Sequence, residues 1–195
     1  MSGSVGLTPD RWRFDVSQQA EEDARVQRTL QSLRSAFFEL ILTSPKYEEI
    51  KVADIIEAAG VGRSTFYEHF QGKDDMLIKS MQRFFDVLSA TVCDVHDPAA
   101  LEWVAAHFWE QRRMASIFRA PATRTIIVRA LSDTIEQRLA ARGPTRAPAK
   151  LVAAQLAEGQ LALLVTWLTG RAAATPAQIA ETLAATSRAA ADAMY

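Results

Sequence analysis

The 195-residue chain has a single cysteine, Cys93. No intramolecular disulfide can form, so the chain does not read as a disulfide-stapled secreted scaffold. Low-complexity runs and internal repeats are missing, which excludes fibrous and solenoid architectures. Long apolar runs are scarce. The longest, LALLVTWL at 161–168, falls far below the roughly 20 residues that span a bilayer. The N-terminal MSGSVGLTPDRWRFDV lacks a basic start followed by an apolar stretch, so a signal peptide is not expected. A cytoplasmic chain without a membrane partner fits these absences. His69, His96 and His107 stand at no zinc-like spacing with cysteine or carboxylates. No nucleophile–base arrangement is visible either, so neither a cofactor nor an enzymatic activity is expected. Positive charge is also short. The net charge is −1, and residues 1–75 hold nine Lys/Arg against thirteen Asp/Glu. A broadly basic surface is excluded, and any contact with a polyanion must rest on a local face.

What is present is helical periodicity. Hydrophobic residues make up 49% and charged residues 23%, an ordinary globular balance. Residues 1–20 mix Gly, Ser, Pro and charges without a period and read as a flexible arm, in which Arg11 and Arg13 are the cations. From Glu21, the stripe Val26, Leu30, Leu33, Phe37, Ile41 marks one helix face. That helix should end near Thr43, because Pro45 disfavours helical geometry at Ser44. A short apolar face follows in KVADIIEAAG, then RSTFYEHF, then the long stripe of KDDMLIKSMQRFFDVLSATV. Beyond Pro98 the segments again read helical. A short piece lies around Ile117 and Phe118, a stop at Gly143 and Pro144, and an N-cap at Thr175 before Pro176. No stretch alternates like a strand between hairpin turns. The expected class is all-α with about nine helices.

The stretch AGVGRSTFYEHFQGK, Ala59 to Lys73, admits two readings: a glycine-rich phosphate loop or a tight turn between short helices. A nucleotide loop should follow a buried strand and open a long helix. Here Gly60 follows a helix, so the turn reading stands. Two short helices joined by a glycine turn form a helix-turn-helix. Gly60 permits positive φ, while Val61 and Phe66 suit the small core beneath. Arg63, Ser64, Thr65 and Tyr67 then fall in the first turn and a half of the second helix, the part that meets base edges and phosphates in a major groove. Arg63 can donate to guanine as a bidentate pair. Tyr67 and His69 can donate to phosphate oxygens. Lys73 adds charge at the start of the next helix.

The segment YEEIKVADIIEAAGVGRSTFYEHFQGKDDML, Tyr47 to Leu77, resembles the DNA-binding domain of the TetR family of transcriptional regulators. The carriers are the Ala-Gly-Val turn, the Thr-Phe-Tyr-x-His-Phe helix and the following Lys-x-x-x-Leu. The resemblance implies a helix-turn-helix DNA-binding domain over 21–72 and a helical ligand-binding and dimerisation domain over 73–195. It also implies a homodimer on a palindromic double-stranded DNA operator, most often a repressor released by a small-molecule effector. Carried over by position, the DNA contacts fall on Lys51, Arg63, Ser64, Thr65, Tyr67, His69 and Lys73. Three positions depart from the family pattern. Lys51 stands where Thr is frequent, Gly62 where Ser is common, and Glu68 where a basic or polar residue is usual. With the acidic N-terminal half, Gly62 and Glu68 motivate an alternative: a helical small-molecule-binding dimer with weakened or lost DNA binding.

In the second half, apolar and polar residues from helices expected around a pocket are Phe84, Phe85, Trp103, His107, Phe108, Met114, Phe118, Gln160 and Trp167. Ordinary core is the competing reading for each. The last two long segments carry Leu156, Leu161, Leu164, Leu168, Ile179, Leu183 and Thr186, which can pair with a second copy in a four-helix bundle or face the subunit's own core.

Overall fold

The computed structural model describes residues 10–93, 96–144 and 146–194, with side chains from residue 23 onward. Among these residues there are nine α-helices and no strand. In chain order they are α1 (Asp10–Thr43), α2 (Val52–Ala59), α3 (Arg63–His69), α4 (Lys73–Ala90), α5 (Pro98–Glu110), α6 (Ala115–Arg119), α7 (Pro121–Arg142), α8 (Ala149–Leu168) and α9 (Pro176–Asp192). Single 3₁₀ turns stand at Tyr47–Glu49 and Arg112–Met114. Helix α1 is helical from Asp10, ahead of the apolar period that starts at Val26. Residues 1–9 of the expected arm and the side chains of Arg11 and Arg13 lie outside the described residues.

The first three helices close over one small core. Leu33 and Phe37 from α1, Ile55 from α2 and Phe66 from α3 are each fully buried. Burying Phe66 contributes roughly 1.5–3 kcal/mol. Helix α2 stops because Gly60 takes φ 65°, the left-handed cap expected there. The Gly60 amide donates to the Glu57 carbonyl and the Val61 amide to the Ile56 carbonyl, which satisfies two orphan acceptors at once. Gly62 then turns the chain into α3 in an extended conformation.

The body behind this head packs α7 along α8, α4 against α7, and α5 against α9. Helix α8 has 20 residues and a stretch of 18 with mean hydropathy 1.4, long and apolar enough by composition to cross a membrane. Half of it is buried inside the protein, against its neighbours, which accounts for that composition. Thr175 caps α9, its hydroxyl accepting from the Gln178 amide while the Gln178 side chain accepts from the Thr175 amide.

Candidate DNA-binding face and ligand cavity

Helix α3 sorts its seven residues by face. Phe66 points into the core, followed by buried Phe70 at the C-cap. Arg63, Ser64, Tyr67 and Glu68 are exposed, with Tyr67 46% accessible. Its ring sits edge-on to Phe66 and carries the Arg63 guanidinium 5.5 Å from its centroid. Arg63 and Tyr67 thus form one stacked pair on the outward face. Thr65 and His69 turn sideways. They line a polar groove of about 430 Å³ between α1 and α3, together with Arg25, Thr29, Gly62 and Glu68. Lys51 is exposed at the start of α2, where its backbone amide donates to Asp54. Sequence reasoning missed Arg25. It lies on the exposed flank of the periodic apolar face of α1, where a cation ordinarily means only solvation.

Lys73 is placed differently from its expected role. Its ammonium donates to the carbonyls of Tyr47 at 2.8 Å, Glu48 at 3.1 Å and Ile50 at 2.8 Å. Three donors meet three acceptors, so the charge caps the 3₁₀ turn ahead of α2. Next to it, the Tyr47 hydroxyl donates to Asp74 at 2.7 Å. Burial, the bond to Asp74 and the negative charge of Asp74 together push the Tyr47 phenol well above its ordinary range. Asp75 accepts from the Gln71 amide and pairs with Lys79 at 3.0 Å. Lys79 in turn donates to the His69 carbonyl at 2.9 Å, the last residue of α3. The first two turns of α4 therefore hold both ends of the helix-turn-helix.

The next two turns of α4 wall a cavity. Ser80, Met81 and Phe84 line a space of about 330 Å³ with Gln31, Arg34, Ser35 and Phe38 of α1, His107, Phe108 and Gln111 around the end of α5, and Met114, Ile117 and Phe118 around α6. Five residues singled out from the sequence meet here: Phe84, His107, Phe108, Met114 and Phe118. Four do not. Phe85 is core, 1% exposed. Trp103 stands outside the cavity, stacked 6.0 Å from Phe84 with the Arg83 guanidinium 4.1 Å from its ring. Gln160 is buried in the body, its amide nitrogen within hydrogen-bond distance of the Leu88 carbonyl and the hydroxyls of Thr91 and Ser187. Trp167 is core, donating to the Ala174 carbonyl and stacking on Trp109 at 4.9 Å. The contributions of α1 escaped the sequence because its periodicity reports one buried face and is silent about the flank where Arg34 and Phe38 stand.

Most of the residues expected at a subunit interface are already buried within the single chain. Leu156, Leu161, Leu164, Leu168, Ile179 and Leu183 are each no more than 6% exposed within the single chain. They are the chain's own core, the alternative their apolar stripes allowed. Thr186 alone of the seven faces outward.

Residues 47–79 match the family model described as bacterial regulatory proteins, tetR family. The uncharacterized HTH-type transcriptional regulator YxbF of Bacillus subtilis (strain 168) is 34% identical over 61 residues, 31% of this chain. That stretch spans 16% of the length of this curated relative. Among solved structures, a TetR transcriptional regulator from Streptococcus agalactiae 2603V aligns over 87% of this chain and 98% of its own, at 25% identity and TM-score 0.51. A protein of Syntrophomonas wolfei described as a TetR-family transcriptional regulator aligns over 85% of this chain and 96% of its own, at 16% identity and TM-score 0.52, a likeness of fold. The helix-turn-helix of this chain, over residues 47–79, is thus similar to that of the tetR family of bacterial regulatory proteins, and its helical body shares the fold of solved proteins so described over most of its length.

Proposed function

We propose that the protein is a sequence-specific DNA-binding transcriptional regulator of the cytoplasm, a repressor released by a small molecule. The observation that carries this reading is the double duty of α4. Lys73, Asp74 and Lys79 grip the helix-turn-helix, and one turn later Ser80, Met81 and Phe84 wall the cavity. A ligand that fills the cavity bears on the same rigid helix that sets the position of α3. Differential binding to two positions of α4 is the physical requirement for release.

On DNA, Arg63 and Ser64 meet base edges, and Tyr67, Lys51 and the sideways pair Thr65 and His69 meet phosphates. Arg25 adds a cation to this face. Lys73 acts from behind by holding the turn. The operator is palindromic because two copies present two α3 helices about one DNA turn apart. The copies pair through the outward faces of α8 and α9, where Leu151 and Thr186 stand exposed.

Selection of bound duplexes from a random pool at fixed salt tests the reading. An enriched palindrome supports it. Failure to enrich across several salt concentrations favours a second reading, a ligand-binding dimer with weakened DNA binding. Exposed Glu68, beside Arg63 and Tyr67, is the observation behind that alternative.

A further inference from the structure

The cavity beside α4 has two kinds of wall. Phe84 lies 4.8 Å from Phe108, and Phe118 meets Phe108 edge-on at 5.4 Å, so one side is ring-lined. The lining also holds two polar groups, Arg34 of α1 and Ser80 of α4. Arg34 has no hydrogen-bond or ion-pair partner among the described residues, whereas Arg124 is paired with Glu158 and Arg142 with Asp192. The Ser80 hydroxyl oxygen is buried and has no partner. Among the described residues lining the cavity there is no Asp or Glu. A cationic ligand would meet the Arg34 guanidinium with nothing to compensate it. An anion gains a charge-assisted pair at Arg34 and an acceptor for the Ser80 hydroxyl.

Resting on the reading of this cavity as the effector site, we infer that it takes an amphipathic organic acid. The carboxylate pairs with Arg34, and the hydrocarbon lies against Phe84, Phe108 and Phe118. A cavity of about 330 Å³ holds about ten to fifteen non-hydrogen atoms, at roughly 20–30 Å³ each.

Calorimetric titration of the full chain tests this with two apolar bodies, phenylbutyl and decyl. Each is offered as the acid, the neutral amide and the amine. At least one acid should bind about tenfold or more tightly than its amine. Arg34→Gln should weaken that acid about tenfold while leaving its amide within about twofold. Arg34 is exposed, so the variant keeps its fold. An amine that binds as well as the acid, or an acid affinity unchanged in Arg34→Gln, overturns the acid assignment and leaves the cavity a ligand site. No binding by any of the six compounds overturns the inference together with the ligand reading of this cavity.

Discussion

Lys73 engages Tyr47 twice: its ammonium donates to the Tyr47 carbonyl at 2.8 Å and stands 4.5 Å from the centroid of the Tyr47 ring. One charge from α4 thus ties down the turn that leads into α2, and through it the whole helix-turn-helix.

Removing that charge should loosen the DNA-binding head. Lys73→Met keeps an unbranched apolar stem and leaves three carbonyls without their donor. The expected loss is about 2 kcal/mol, the size of a buried charge-assisted bond group. Chemical denaturation of the two proteins at one pH checks it. A loss below about 0.5 kcal/mol would mean that water replaces the ammonium without cost.

The adjoining phenol predicts an alkaline limit. The Tyr47 pKa is raised in the folded protein, so the folded state holds its proton more tightly than the unfolded chain does. The resulting stability is fully present below the ordinary tyrosine value near pH 10 and declines as pH rises beyond it. Thermal unfolding followed between pH 8 and 11 should show this decline in the natural protein. Tyr47→Phe should flatten it, at the expense of some stability at neutral pH.

Gly60 and Gly62, two residues apart, should respond in opposite ways. Gly60 has φ 65°, and a side chain there would meet open space. Gly60→Ala therefore carries only the conformational penalty, about 1–2 kcal/mol. Gly62 has φ −74° and caps α3 without a side chain. An added Cβ there finds ordinary contacts at 3.6 and 3.8 Å. Gly62→Ser should be neutral or more stable by a few tenths of a kcal/mol. Paired melting curves read both.

Gln160 separates core from cavity. It is 3% exposed and joins α8 to the ends of α4 and α9. Gln160→Ala should destabilise by about 2–3 kcal/mol through a void and lost bonds. Affinity for any ligand of the α4 cavity should stay the same, because Gln160 does not line it.

The sequence carried local geometry well and neighbourhood poorly. Gly60, Phe66 and Thr175 could be read because turn, plug and cap are each decided within four residues. The end of α1 at Thr43 followed from one proline. The fate of Leu156 and Leu164 could not be read, because a stripe reports that a face is apolar and not whose surface covers it. Lys73 escaped for a related reason. Its acceptors lie more than twenty residues earlier in a single 3₁₀ turn too short to leave a periodic signal. Arg34 and Ser80, far apart in sequence, share one cavity lining only in the folded chain.

The central claim is that the stacked pair Arg63 and Tyr67 reads DNA. The most direct test is the affinity of the natural protein, Arg63→Ala, Tyr67→Ala and the double variant for one enriched duplex at fixed salt. Each single change should weaken binding by about 1–3 kcal/mol. The double change should cost less than the sum, because the two side chains stack. Folding should be untouched, since both residues are exposed. Equal affinity in all four proteins would contradict the account and move the DNA, if it binds, to another face.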